Sequence, residues 1–348
     1  MAKIGEKELK DQIKENKFSN IYIIYGEETY LKDFYIKKLK SKLVDPAFAD
    51  FNYHEYEGKD CSIDDVLRDV QMMPMMSEYS VVLVRDFPFG DNSDAINSLK
   101  EYAKDLCDTS VLIFWYDSLN IDVKKNSKWN TVINTIAKVG SSVNLEKRSL
   151  SDLAKMIVTY AKKQNCVISS ANAQYLISVV GNDIKTVFNE LEKMCNFANG
   201  EVTREIIDNL AVKSLQARVF DLSKFILKGD SDSAYKVLNT LFVQKEEPIA
   251  VLSVISSCYV DMYRVKCAKT ANIDENNLTS IFSYKNREFL IKNAARDCRS
   301  ISTEGLRKAI DILSHSDELM KSTSVDKNLL LEETVAKLLI LRSKYASY

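Results

Sequence analysis

The chain reads as an α/β domain followed by all-helical sequence. A three-layer parallel-sheet domain covers residues 1–145, a small four-helix domain residues 146–212, and a larger helical domain residues 213–348. Three observations predict this order. Short, near-continuous apolar runs alternate with amphipathic stretches up to Leu145, as expected of strands buried on both faces between crossover helices. Strand signals stop after Lys147, and apolar residues then recur at helical spacing to the C-terminus. A length of 348 residues accommodates two or three domains.

The run Ile21-Tyr22-Ile23-Ile24-Tyr25 is β-branched and aromatic, ends at Gly26 and predicts the first strand. Residues 31–43 predict a helix, with Leu31, Tyr35, Leu39 and Leu43 four residues apart. Residues 51–56 predict a second strand, stopped by Gly58. Residues 63–71 form the next helix, with Val66, Leu67 and Val70 on one face. Val81 to Val84 make a buried strand, residues 96–106 a helix, and Val111-Leu112-Ile113-Phe114-Trp115-Tyr116 the most apolar strand. Residues 129–137 are helical and residues 142–145 a short last strand.

The helical half starts at residues 150–161, with Leu153, Ile157 and Tyr160 on one face and Ser149 or Ser151 as N-cap. Residues 171–180 follow, closed by Gly181, and residues 184–197 place Ile184, Phe188, Leu191 and Cys195 on one stripe. Thr203 caps a short helix carrying Ile206, Ile207 and Leu210. The larger helical domain is predicted as 219–227, 234–242, 248–268 with Pro248 in its first turn, 289–298, 303–321 and 329–345.

Composition narrows the function classes. A hydrophobic share of 46% and a charged share of 28% are those of a soluble globular protein. A net charge of −1 excludes a whole-molecule electrostatic trap for nucleic acid. The seven cysteines form no CxxC pair, and His54 and His315 lie far apart, so no metal-ligand spacing appears. Scattered thiols fit a reducing compartment. Residues 1–17 are charged and lack the apolar core of a signal peptide. No apolar run approaches the roughly 20 residues that span a bilayer. The expectation is a cytoplasmic protein without a membrane partner, metal or cofactor.

An α/β domain followed by a small helical bundle is the layout of an AAA+ ATPase module, so the phosphate loop is the first test. A P-loop reads GxxxxGK[ST] after the first strand. Here the sequence is Gly26-Glu27-Glu28-Thr29-Tyr30-Leu31, and no Gly-Lys-Ser or Gly-Lys-Thr occurs. Glu27 and Glu28 lie where the helix begins, in the positive field that elsewhere attracts phosphate. They either cap that helix or repel a triphosphate, and both roles exclude a P-loop ATPase. The strand Val111–Tyr116 ends in Asp117-Ser118 rather than an Asp-Glu pair; Asp117 reads as a strand-end cap or turn residue. No nucleophile elbow, HExxH or GxGxxG after a strand is present, and His54 in its Tyr-rich run reads as a surface or pocket residue. No catalytic residue is assigned.

The most unusual feature is Met72-Met73-Pro74-Met75-Met76, four of the nine methionines in five residues. Pro74 forbids helix continuation, and Met suits adaptable contact surfaces. The cluster is either a plug of the α/β core or an exposed hook for a partner, and the residues alone leave the two level.

Taken together, the chain resembles the delta subunits of bacterial DNA polymerase III clamp loaders. The resemblance rests on the apolar run to Tyr25 followed by Gly26, Glu27, Glu28, Tyr30 and Leu31, and on the helix, methionine cluster and strand ending Val84-Arg85-Asp86. It also rests on Gly181-Asn182-Asp183, Asn189 to Lys193, Val219-Phe220-Asp221-Leu222, Glu247-Pro248-Ile249, Asp317 with Lys321, and Leu330-Leu331-Glu332.

The resemblance implies an AAA+-like domain with a degenerate ATP site at Gly26, Glu27 and Glu28, a helical lid domain and a C-terminal collar domain. It implies a role without catalysis: an apolar pair wedges into the sliding clamp (beta) and favours an opened ring that is loaded on primer-template DNA. The collar packs with gamma/tau and delta-prime subunits, which supply ATP hydrolysis to the polymerase holoenzyme. Carried over by position, the wedge is Met75 and Met76, with Met73 and Pro74 beside it, where the family more often has Leu or Phe. Met75 and Met76 are then expected to be exposed, and Met72 and Met73 partly buried at the helix end. No residue is singled out for DNA: Lys37-Lys38, Lys124-Lys125 and Lys162-Lys163 read as solvated faces. Competing readings are a nucleotide-dependent AAA+ enzyme with a non-standard ATP site and a helical scaffold unrelated to replication.

Overall fold

The computed structural model describes residues 3–119, 121–123, 125–274, 277–278, 281–282, 284 and 288–345. Lys124 of the Lys124-Lys125 pair lies outside them. The chain divides into two compact units, Met1–Arg148 and Ser149–Tyr348.

The first unit runs β1 (Lys3–Ile4), α1 (Glu6–Glu15), β2 (Ile21–Tyr25), α2 (Thr29–Leu43), α3 (Ala49–Asn52), β3 (Tyr53–Glu57), α4 (Ile63–Val70), β4 (Ser80–Arg85), α5 (Ser93–Tyr102), β5 (Ser110–Trp115), α6 (Ser127–Val139) and β6 (Ser141–Asn144). The strands form one sheet in the order β1-β6-β2-β5-β4-β3, with every pair parallel. Parallel pairing requires crossovers, and the intervening helices supply them. β2 and β5 are buried at every position, which explains their near-continuous apolar sequence. β3 is an edge strand with the polar sequence Tyr-His-Glu-Tyr-Glu. Charged side chains on an edge discourage pairing with other chains. On one side of the sheet Phe87, Phe89, Phe114, Tyr116 and Trp129 meet edge-to-face or tilted, a packing worth more than area alone.

Two features depart from the sequence expectation. β1 and α1 add to the N-terminus: α1 carries only Leu9 and Ile13 as buried apolar residues, too few to stand out in a charged stretch. The strand expected over 51–56 starts later, because Asp45 caps a 3₁₀ turn at Pro46–Phe48 that continues into α3. Phe51 and Asn52 therefore close a helix, and β3 begins at Tyr53.

The second unit contains α7 (Leu150–Lys163), α8 (Ser170–Val180), α9 (Ile184–Phe197) and α10 (Arg204–Leu210), then α11 (Leu215–Lys228), α12 (Ser231–Val243), α13 (Pro248–Thr270), α14 (Glu288–Asp297), α15 (Thr303–Ser322) and α16 (Lys327–Lys344). Local signals set most starts: the side chains of Ser149, Ser169, Asp183, Thr203 and Ser214 each accept an N–H of the first turn. Ser149 rather than Ser151 caps α7, and Ser214 caps α11, which starts at Leu215, four residues ahead of the expected Val219. Val219, Leu222, Leu238, Leu252, Leu331 and Val335 lie in one continuous core. Among the described residues no helix is long and apolar enough to cross a membrane.

Candidate docking site

In a parallel crossover the helix returns the chain to the amino ends of the strands. α4 follows β3 and precedes β4, so residues 71–79 lie at the amino end of the sheet. Ser62 caps α4, accepting the Asp65 N–H at 3.1 Å. Val66 and Val70 are fully buried, and α4 stops at Val70. His54 Nδ1 stands 3.3 Å from the Asp69 carboxylate, which also accepts the Tyr56 hydroxyl. These contacts tie the edge strand to the end of α4. Burial and then the Asp69 carboxylate push the Tyr56 hydroxyl up to about 12, so it stays a donor at neutral pH.

Beyond this anchored helix all four methionines are exposed: Met72 47%, Met73 84%, Met75 53% and Met76 79%. Met75 and Met76 match their expected exposure. The partial burial expected for Met73 is wrong, and Met72 keeps only about half. The reason is local: Val70 is the last residue of α4 to reach the core, and Pro74 denies Met73 a further helical turn. A core plug is excluded by these values. Phe51, at the end of α3, is a further exposed apolar side chain at 61%.

The loop is held from outside. Asn52, 2% exposed, accepts the Met75 N–H at 2.7 Å and donates its side-chain NH₂ to the Met75 carbonyl at 2.8 Å. Met76 follows with φ of 52°, a left-handed conformation that long side chains rarely adopt. Phe51 and Asn52 escaped the sequence reading because both were assigned to a strand. An Asn just ahead of a polar edge strand was the available signal.

The carboxyl end of the sheet, where parallel α/β proteins usually bind ligands, is differently built. Gly26 has φ of 119°, and a Cβ there would lie 2.3 Å from the Leu145 carbonyl. The Glu28 N–H donates to that same carbonyl at 2.9 Å. Glu28 occupies the N-cap of α2 but makes no side-chain cap bond. Lys32, in the first turns of α2, is 3% exposed. Burial lowers its ammonium, against the pull of the Asp117, Asp86 and Glu28 carboxylates.

Arg85 at the end of β4 binds Asp117 at 2.6 Å and Glu57 at 3.4 Å. Asp86, not Asp117, caps the following turn. It accepts the N–H groups of Asp117, Ser118 and Leu119 at 2.8, 3.1 and 3.2 Å and the Ser118 hydroxyl at 2.6 Å. Burial alone would raise the Asp86 carboxyl; these donors hold it below the usual carboxylate range. Internal charges thus fill the region where a phosphate cradle would stand, and among the described residues no cluster suits a metal ion.

Comparison with known proteins finds matches along most of the chain. A family model described as DNA polymerase III, delta subunit, matches residues 22–143, and one described as DNA polymerase III delta subunit, C-terminal domain, matches residues 216–338. A third, described as a middle domain, matches residues 149–209. The chain is 24% identical over 336 residues to the DNA polymerase III subunit delta of Bacillus subtilis, covering 94% of this chain and 95% of that protein. It is 22% identical over 325 residues to the Aquifex aeolicus protein named "Probable DNA polymerase III subunit delta", covering 90% and 89%. The solved structure of the Bacillus subtilis DNA clamp loader delta protein (YqeN) shares the fold, with a TM-score of 0.61 over 96% of this chain and 99% of that one, at 23% identity.

Proposed function

The chain belongs to the DNA polymerase III delta-subunit family, and from that premise we propose that it binds the sliding clamp through Met75 and Met76 and opens the ring for loading on primer-template DNA. The observation that carries this reading is the exposed methionine loop held by a buried asparagine. Exposed apolar surface of this kind marks a partner site. Met73 and Pro74 flank the wedge, and Phe51 extends its apolar surface.

Burying two methionine side chains contributes roughly 1.5–3 kcal/mol each. A micromolar complex needs about 8 kcal/mol, so Phe51, Met72 and Met73 share the remaining contact. An open ring is favoured when the wedge binds that conformation more tightly than the closed one.

Residues 146–212 and 213–348 act in this reading as lid and collar. The exposed Leu329 and Ile340 of α16 support a collar interface toward gamma/tau and delta-prime subunits. ATP is hydrolysed by those partners in the cytoplasm, and this chain contributes contact rather than catalysis. The self-paired charges around Lys32, Arg85 and Asp86 support that division of labour.

The test is a pull-down with the cognate sliding clamp, wild type against Met75→Ala plus Met76→Ala. Wild type is expected to retain the clamp and the double variant to lose it. Equal retention by both removes the wedge assignment, and no retention by wild type removes the clamp reading. Titration with ATP is expected to give no saturable binding to the isolated chain; saturation would favour the nucleotide-dependent enzyme.

A further inference from the structure

Resting on the reading of the methionine loop as the clamp hook, we infer that Asn52 is its positioning residue, a buried amide that presets the loop in the shape the clamp receives. Three observations carry this. Asn52 is 2% exposed although it serves a loop whose Met73 and Met76 are 84% and 79% exposed. Among the described residues, its two bonds to Met75 are the only hydrogen bonds made by residues 73–77. Met76, the next residue, holds φ of 52°, and strained conformations persist only where surrounding structure over-determines them.

The physical logic is preorganisation. A short apolar loop with no bonds of its own samples many conformations, and a partner that selects one must bear the ordering cost. Asn52 accepts from the N–H and donates to the carbonyl of one residue, the peptide groups on both sides of the Met75 Cα, so it fixes both position and orientation of the Met75 backbone. Its own element, α3, is anchored by the Asp45-capped turn before it and by β3 after it. The bond pair therefore transmits the rigidity of the sheet edge to the hook. A positioning residue of this kind acts only through the side chains it places.

The experiment is a double-mutant cycle on the full chain, read by surface-immobilised sliding clamp. Asn52→Ala is expected to weaken binding about tenfold, mainly through faster dissociation. In the Met75→Ala plus Met76→Ala background the same change is expected to have no further effect. A merely structural asparagine weakens both backgrounds alike, so multiplying effects overturn the inference, as does an Asn52→Ala protein that binds like wild type. Failure of wild type to bind the clamp removes the hook reading and this inference with it; binding lost in the methionine variant but kept in Asn52→Ala removes only this one. Should Asn52→Ala not fold, amide exchange of wild type decides. The Met75 amide is expected to exchange at least tenfold more slowly than that of Met73, and equal rates overturn the inference.

Discussion

The two ends of the same sheet have opposite characters. At the carboxyl end several charges pair internally: Arg85 with Asp117 and Glu57, Asp86 with the 117–119 backbone, Lys32 among three carboxylates. At the amino end four methionines and a phenylalanine face solvent, and the buried Asn52 spends its side chain on their loop. A surface that satisfies itself has little to offer a ligand. A surface left apolar and then rigidified is the kind the proposed clamp contact needs. One parallel sheet thus carries a self-paired end and an exposed apolar end.

Four changes would break or sharpen this contrast. The largest effect is expected from Met75→Ala plus Met76→Ala. Loss of roughly 3–6 kcal/mol of apolar burial should weaken clamp binding at least about 100-fold while leaving the unfolding midpoint of the chain unchanged. A large stability loss instead would mean that the amino end is packing after all.

Gly26→Ala should act oppositely, on stability and not on clamp contact. A Cβ 2.3 Å from the Leu145 carbonyl, at φ of 119°, should cost about 3 kcal/mol in urea unfolding. A neutral result would show that the carboxyl end yields easily.

Asp86→Asn should cost about 1–2 kcal/mol at pH 7 by removing charge-assisted acceptance. The Asp86 carboxyl is depressed in the folded state, so its contribution is present above the unfolded carboxyl value of about 4 and is lost as pH falls through the lower folded value. The gap between wild type and variant should therefore close below about pH 4 in acid-unfolding titrations; a gap that persists would remove the charge explanation.

The smallest effect is expected from Phe51→Ala, roughly fivefold or about 1 kcal/mol in clamp affinity with unchanged stability. No effect would confine the apolar contact to the methionines.

How much was legible varies with the range of the forces involved. The strand β5 and the helices α9 and α13 could be read directly, because a continuous apolar run, an apolar stripe at helical spacing and Pro248 act on neighbouring residues. α1 was missed because only Leu9 and Ile13 report its buried face. Asp117 looked like the turn cap because it ends its strand. The actual cap, Asp86, lies 31 residues earlier and meets it only across the β4–β5 pair.

What the sequence determined by itself was the order of layers, the missing phosphate loop and the presence of an apolar knot broken by Pro74, all consequences of residue type and short spacing. Tertiary structure decided whether that knot was buried or exposed. Exposure depends on where α4 runs out of core to pack against, and the shape of the loop depends on Asn52, 23 residues away in the chain. Burial and long-range hydrogen bonding are properties of the folded surroundings, and no local pattern encodes them.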